Sequence, residues 1–253
     1  MCSISCPLSS STLNLTQFLC FTCLPIHPQR NRKPQDHFPK WFFAIKVVIL
    51  GVVLHVYNYT QILPPIILLG LYPLHLYLSL EILLTLLKVV LTIALGSHLE
   101  PIFNEPYLAT SLQDFWGRRW NLPVSAIFRS SVFIPVRQVC QHFMNTEWAI
   151  ITSVLASFLV SGMLHELIFF YVTREAPTWE VTWYFVLQGV CTVVEVFVKR
   201  KTFVGRWVVR PEVSRLLTVG FLVLTGAWLF FPQFKRSGVM ERDSLVNPWC
   251  SLI

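Results

Sequence analysis

The sequence predicts an all-α fold, a polytopic bundle of transmembrane helices, from three observations. Hydrophobic residues make up 54% of the 253 residues and charged residues only 13%, whereas a soluble domain carries about 25% charged residues. The mean hydropathy is +0.58, and several apolar runs approach the length of about 20 residues that spans a bilayer. The formal net charge of +7 is concentrated between these runs, as is typical of membrane proteins.

We predict six or seven membrane segments, of which the first is short and weak. Their bounds are 13–24, 41–57, 62–80, 81–99, 148–172, 179–198 and 216–231. The third contains Pro64, Pro65 and Pro73, and each proline removes a backbone donor, so we expect this segment to be kinked or partly re-entrant. Residues 1–40 then form an N-terminal segment with a basic loop, and residues 41–253 form the membrane domain.

The basic connections at 27–40, 100–147 and 199–215 are expected on the cytosolic side. Three predicted segments separate the first two connections, so one of the three cannot cross fully, and the proline-containing segment is our candidate. The segments 148–172 and 179–198 are predicted to form a hairpin. The orientation of the last segment stays open because basic residues also follow it.

The connection at 100–147 has helical periodicity of its own. Its apolar side chains recur on one side of a helix, at Leu108, Leu112, Phe115, Trp116 and Trp120. We therefore predict a helix parallel to the membrane interface, with Ser111 and Asp114 as a candidate cap. This helix would bring Arg118, Arg119 and Asn121 to the level of the lipid headgroups.

A His-Glu pair lies inside the apolar run 148–172, where a charged side chain costs a few kcal/mol unless it faces protein or water. The residues Ser153, Ser157, Ser161 and His165 recur every four positions and share one helix face. Two interpretations stay open for this face. Either it packs closely against another helix, or it lines a cavity for a slender apolar substrate whose reactive end meets His165.

In the second interpretation, the neutral imidazole of His165 acts as a general base for an alcohol that attacks a thioester. Glu166 lies about 100° round the helix and is expected to pair with a polar or basic group elsewhere. Proton relay in a transporter is the competing use of the same histidine. The sequence offers few further carboxylates for a relay, because Glu81 and Glu195 lie near the ends of predicted segments.

Other classes of protein find little support in the sequence. The seven cysteines form no spaced framework, and the pair Cys20 and Cys23 has no second pair to complete a metal site. The sequence has no glycine-rich phosphate loop, metal-ligand cluster or Gly-x-Ser-x-Gly motif, which argues against nucleotide hydrolysis, metal catalysis and an acyl-serine mechanism. The positive charge suits lipid headgroups or a phosphate-bearing substrate rather than nucleic acid.

Three stretches resemble the plant wax synthase family of membrane-bound O-acyltransferases. Residues 104–107 read NEPY, residues 111–124 read SLQDFWGRRWNLPV and residues 161–166 read SGMLHE. The buried histidine follows Asn121 by 44 residues, and the resemblance covers about residues 103–231. Members of this family usually carry further apolar segments before the region where this chain begins, so we expect an N-terminally truncated member.

The resemblance implies an acyl-CoA-dependent O-acyltransferase of the endoplasmic reticulum membrane that esterifies a long-chain alcohol to a wax ester or, in close relatives, a sterol. It implies His165 as the catalytic histidine and Asn121 as the second motif residue, which orients the substrate or the thioester carbonyl; capping of a helix is the alternative for Asn121.

Arg118 and Arg119, with the nearby Arg129 and Arg137, are candidates for contacts to the phosphates of coenzyme A, with headgroup contact as the alternative. Acyl-CoA is expected as a co-substrate with no separate cofactor, together with a lipophilic alcohol, membrane lipids and no nucleic acid. The oligomeric state stays open. The competing class is a non-enzymatic membrane protein, either a transporter or an inactive remnant.

Overall fold

The computed structural model describes residues 40–59, 62–95, 101–202 and 210–236, and all regular elements in these ranges are helical, as predicted. We number the helices α1 Lys40–Val56, α2 Pro65–Leu95, α3 Leu112–Asp114, α4 Leu122–Phe128, α5 Ile134–Cys140, α6 Thr146–Thr173, α7 Glu180–Thr202, α8 Pro211–Thr225 and α9 Phe231–Arg236. Three π-helical turns, Phe115–Arg119, Arg129–Phe133 and Gly226–Phe230, extend α3, α4 and α8. The predicted segment at 13–24 lies outside the described residues.

Within the described ranges, five helical stretches are long and apolar enough to span a membrane. They are Trp41–Tyr59, Ile66–Ala94, Thr146–Thr173, Glu180–Arg200 and Pro211–Gln233. The prediction of separate segments at 62–80 and 81–99 is wrong, because α2 runs through both as one helix of 31 residues. Pro65 starts this helix, where its missing N–H costs no hydrogen bond, and no glycine, proline or asparagine occurs from Leu74 to the end of the helix at Leu95.

The continuous α2 also changes the expected topology. Two crossings, and not three, now lie between the start of α1 and the connection at 101–145. With two spans in place of three, the parity argument no longer requires a segment that crosses incompletely. The sidedness of the basic connections stays a prediction.

Helices α6 and α7 form the predicted hairpin and contain the most tightly packed contact of the described fold. Asn145 caps α6 by accepting a hydrogen bond from Trp148 N at 3.0 Å, and Arg174 ends α6 in the left-handed conformation. A Cβ added to Gly162 would lie 2.8 Å from Thr182 Cα, so the two backbones nearly touch at this point. The hydrophobic core is built beside this contact, from Phe169, Val181, Tyr184 and Phe185.

The connection between α2 and α6 differs from the single interfacial helix that the periodicity predicts. The predicted cap is confirmed, since Ser111 Oγ accepts a hydrogen bond from Asp114 N at 2.9 Å. The helix that follows ends at Trp120, because Asn121 takes a left-handed conformation with φ 41° and ψ 69° and starts α4 in a new direction. The short elements of this connection pack over α6 and α7 and bring the motif residues to the centre of the molecule.

Candidate active site

A large, partly open cavity of about 1630 Å³ lies among the described helices. Its lining along α6 extends from Ile150 to Val172, about 33 Å at 1.5 Å per residue. Ser157, Ser161 and His165 all line it, whereas Ser153 is fully buried and does not. The serine face thus lines a cavity at three of its four positions, as the second interpretation of the sequence requires.

His165 is held in one orientation by a hydrogen bond and by aromatic packing. Its Nδ1 lies 2.7 Å from the carbonyl oxygen of Ser161. Because a carbonyl oxygen only accepts hydrogen bonds, Nδ1 carries the proton and Nε2 of the neutral ring keeps its lone pair. The ring packs on Phe185 with centroids 4.4 Å apart and on Phe230 at 6.4 Å. The site therefore presents an oriented proton acceptor in an apolar cavity.

Asn121 lines the same cavity as His165 although 44 residues separate them in the sequence. Its Oδ1 accepts a hydrogen bond from Val124 N at 3.5 Å and caps α4. The alternative prediction, that Asn121 caps a helix, is therefore confirmed for its amide oxygen. The Nδ2 amino group is the remaining donor of this side chain, so capping does not exclude a contact with substrate.

The sequence-based interpretation did not identify Gln188, which connects three elements around the site. Gln188 is fully buried in α7; its Oε1 accepts a hydrogen bond from Trp116 Nε1 at 3.4 Å, and its Nε2 donates to Thr225 Oγ1 at 2.9 Å. Trp116 lines the cavity and packs against Phe158 and Phe185. A glutamine in the middle of an apolar segment was the available signal, because a buried amide needs partners.

Of the four arginines predicted to contact coenzyme A, Arg118 and Arg119 lie outside the cavity lining formed by the described residues. Arg119 pairs with Asp114 at 2.6 Å and donates to the carbonyl oxygens of Asn104 and Glu105, each at 3.3 Å. Arg118 is exposed. The contact of Arg118 and Arg119 with coenzyme A stays a prediction.

Two other arginines of the same connection do line the cavity. Arg129 lies in the π-helical turn after α4, and Arg137 lies in α5, nine residues before the start of α6. The Nε atom of Arg137 is buried and has no hydrogen-bond partner among the described residues. The cavity lining therefore includes two guanidinium groups from this connection.

Tyr107 adds a phenol to the cavity lining outside the membrane-spanning helices. Burial raises the pKa of Tyr107, and the neighbouring Glu105 contributes to the rise. The hydroxyl group therefore stays protonated and able to donate a hydrogen bond at neutral pH.

Two carboxylates hold the helices around the site through backbone amides. Glu166 Oε1 accepts from the N–H groups of Val181 and Thr182, so the polar partner expected for Glu166 is the first turn of α7. Glu195, near the other end of α7, accepts from Leu112 N at 2.8 Å and Gln113 N at 3.3 Å. Helix α7 is thereby fixed to α6 at one end and to the motif connection at the other.

These features define a multi-pass membrane protein with an oriented imidazole in an apolar cavity, and the comparisons with known proteins identify its class. A model of the membrane bound O-acyl transferase family matches residues 99–187. Those residues include Asn121, His165 and Glu166.

Curated relatives place the chain more narrowly. It is 60% identical over 236 residues to Probable long-chain-alcohol O-fatty-acyltransferase 8 of Arabidopsis thaliana. The aligned region covers 93% of this chain and 69% of the relative. It is 62% identical over 240 residues to Probable long-chain-alcohol O-fatty-acyltransferase 9 of the same plant, covering 93% and 70%. The Putative long-chain-alcohol O-fatty-acyltransferase 10 is 56% identical over 236 residues, covering 93% and 69%. The chain belongs to the long-chain-alcohol O-fatty-acyltransferase family, and the resemblance is confirmed.

Proposed function

We propose that the protein transfers a fatty acyl group from acyl-CoA to a long-chain alcohol and so forms a wax ester. The observation that carries this proposal is the hydrogen bond between His165 Nδ1 and the Ser161 carbonyl oxygen, from which the tautomer of His165 follows. The hydrogen bond from Nδ1 to Ser161 leaves Nε2 as a proton acceptor inside a cavity that suits apolar chains. The names of the relatives supply the class of acceptor.

In the proposed reaction, His165 Nε2 accepts the hydroxyl proton while the alcohol oxygen attacks the thioester carbonyl carbon. The new C–O bond forms, the carbonyl electrons move to oxygen, and the C–S bond breaks as the carbonyl returns. The departing thiolate of coenzyme A then takes the proton from the imidazolium. Atoms and charges balance without an acyl-enzyme intermediate, in agreement with direct transfer between two bound substrates.

Asn121 has the donor that the negative carbonyl oxygen of this reaction needs. Its Oδ1 is engaged by Val124 N, which fixes the amide plane. The Nδ2 group of a cavity-lining residue can then donate to the developing oxyanion. Removal of one such donor costs about 100-fold to 1000-fold in kcat in a well-studied hydrolase.

We assign the phosphates of acyl-CoA to Arg129 and Arg137. Both line the cavity, Arg137 comes nine residues before the start of α6, and guanidinium groups bind phosphate through paired hydrogen bonds. From Ile150 to His165 the cavity lining follows α6 for about 22 Å at 1.5 Å per residue. This separation suits a donor with anionic groups at one end and a thioester at the end of a slender arm.

We further propose the endoplasmic reticulum membrane as the location. The five apolar helices support a multi-pass membrane protein, and both proposed substrates are amphipathic or lipophilic molecules that a membrane concentrates. Imaging of a fluorescent fusion beside markers for the endoplasmic reticulum and plasma membrane tests the location. Fluorescence at the plasma membrane alone would contradict it.

The activity is tested in microsomes from a host that lacks neutral-lipid acyltransferases. Labelled acyl-CoA is supplied with a fatty alcohol or with a sterol, and the wild type is compared with His165→Ala at equal protein level. We expect labelled wax ester from the wild type with the fatty alcohol and none from the variant. Sterol ester as the main product would change the acceptor, and equal ester formation by His165→Ala would exclude the proposed base. Absence of ester from well-inserted wild type would contradict the proposed function.

A further inference from the structure

We propose that Glu166 is a positioning residue, which fixes the first turn of α7 against α6 and thereby holds Phe185 against the ring of His165. This inference rests on the proposed function, because it concerns how the proposed base is oriented. It assigns to the second member of the His-Glu pair a structural task that differs from proton transfer.

The contacts of Glu166 support this task directly. The side chain is only 3% exposed, and its Oε1 accepts hydrogen bonds from Val181 N at 3.1 Å and Thr182 N at 3.2 Å. Amides in the first turn of a helix have no acceptor within the helix, so they need one from outside. A carboxylate also interacts favourably with the positive end of the helix dipole. Glu166 thus links two helices through groups that would otherwise lack partners.

The linkage lies at the closest approach of the two helices. One turn before Glu166, a Cβ on Gly162 would lie 2.8 Å from Thr182 Cα and 3.3 Å from Phe185 Cβ. One turn into α7, Phe185 packs on His165 with ring centroids 4.4 Å apart. A shift of α7 along α6 therefore moves the aromatic surface on which the imidazole rests.

The location of Glu166 outside the cavity favours a positioning role over direct contact with substrate. Glu166 is not among the residues that line the cavity. Its Oε2 is buried and has no hydrogen-bond partner within the described part of the chain. A glutamine keeps an accepting oxygen at the position of Oε1, loses the charge and the ability to exchange a proton, and places an amino group at the position of Oε2. Glu166→Gln and Glu166→Ala therefore report different properties of the side chain.

The experiment compares these two variants with Glu175→Gln as a matched control. Glu175 is an exposed glutamate in the turn that joins α6 to α7. Steady-state kinetics with acyl-CoA and a fatty alcohol are measured on folded protein purified in detergent. Because a misplacement of about 1 Å can cost about 100-fold, we expect kcat of Glu166→Ala to fall by about that factor with little change in KM. We expect Glu166→Gln to stay within about threefold of the wild type, as Glu175→Gln does.

Hydrogen exchange of the peptide that contains residues 181 and 182 gives a readout that does not depend on activity. We expect faster exchange in Glu166→Ala and wild-type exchange in Glu166→Gln. A loss of kcat in the glutamine variant equal to that of the alanine variant would overturn the proposal in favour of a charge or proton role. Wild-type kcat or wild-type exchange in the alanine variant would also overturn it. An inactive wild type with the expected exchange pattern would count against the proposed function while supporting the linkage.

Discussion

Asn121 combines an unusual backbone conformation with two separate polar groups. Its φ of 41° is tolerated better by asparagine than by most residues, since the short amide bonds to the nearby backbone. The amide oxygen caps α4 through Val124 N, and the amino group remains for the cavity. One side chain therefore serves the local fold and the proposed chemistry, and the two contributions can be separated by substitution.

We predict that Asn121→Asp folds like the wild type and loses most of its activity. The aspartate keeps an oxygen for Val124 N and is an equally good cap, but it replaces the Nδ2 donor with a negative charge beside the developing oxyanion. We expect kcat to fall about 100-fold or more, with an unchanged unfolding temperature in detergent. The rate is measured with labelled acyl-CoA and a fatty alcohol.

Asn121→Gly is the companion variant, because glycine accepts the positive φ without strain. It removes both the cap and the donor, so we expect the same loss of rate and a free energy of unfolding lower by a few tenths of a kcal/mol. An aspartate variant with wild-type kcat would show that Asn121 acts only as a cap.

At the level of single residues, the sequence predicts His165 from the His-Glu pair in an apolar run. It predicts Asn121 from the motif at 111–124, through the resemblance to the plant wax synthase family. It does not predict the tautomer of His165, which depends on the hydrogen bond of Nδ1 to Ser161 O. The sequence offers four arginines for the phosphates of coenzyme A, Arg118, Arg119, Arg129 and Arg137, and does not separate them. Of these four, Arg129 and Arg137 line the cavity, which depends on the tertiary fold.

At the level of elements, α7 is the helix on which the site depends. Its first turn donates backbone hydrogen bonds to the carboxylate of Glu166, and its Glu195 accepts hydrogen bonds from the first turn of α3. Between these points, Gln188 holds Trp116 and Thr225. Through these hydrogen bonds, helix α7 fixes the relative positions of α6, α8 and the motif connection.

We predict that Gly162→Ala destabilises the hairpin of α6 and α7. The new Cβ would lie 2.8 Å from Thr182 Cα and 3.1 Å from Thr182 O, and backbone atoms cannot move aside as a flexible side chain can. We expect the unfolding temperature in detergent to fall, with a cost of about 1–3 kcal/mol. Thermal unfolding followed by circular dichroism measures the effect.

Gly51→Ala is the control for this prediction. Gly51 lies within α1, and a Cβ at this position would have no other atom within 4 Å. The substitution gains up to about 1 kcal/mol of helix propensity, so we expect an unchanged or higher unfolding temperature. Equal unfolding temperatures for the two variants would show that α6 and α7 are not as close as described.

The sequence predicts most of the long helices because their apolar runs are long and bounded by polar residues. It divides α2 wrongly, since a run of about 38 residues is assigned two spans of about 20 residues each, although no glycine or proline lies between Pro73 and Gly96. Glu81 was expected near a segment end for the same reason, yet it lies within α2 and pairs with Lys46 of α1. The partner that makes a charge acceptable inside a membrane helix comes from another helix and is not visible in local sequence.

At the level of the whole molecule, the size of the cavity fits a reaction between two lipophilic chains. Its volume of about 1630 Å³ exceeds the range of about 300–1000 Å³ that is usual for a pocket with one small ligand. The cavity extends past His165 toward Val172 and is also lined by residues of α2 and α8. There is thus room on both sides of the proposed base, as a ternary complex requires.

The open space inside the cavity predicts that a larger side chain in its lining limits the chain length of the substrates. Gly70 of α2 lines the cavity, and a Cβ at this position would have no other atom within 4 Å. The side chain of Gly70→Leu would therefore project into open space and shorten one chain-binding arm. We expect the proportion of the longest wax esters to fall about tenfold, because each methylene that a pocket excludes changes kcat/KM by about 10-fold or more.

A competition assay measures this shift, with mixtures of acyl-CoA and alcohol chain lengths and mass spectrometry of the esters formed. The mixture in which the product distribution changes identifies the substrate whose chain lies beside Gly70. Gly220→Leu is the matched control, since Gly220 of α8 has equally open surroundings and does not line the cavity. We expect the wild-type distribution from this control. The same distribution from Gly70→Leu would mean that no substrate chain reaches this part of the cavity during turnover.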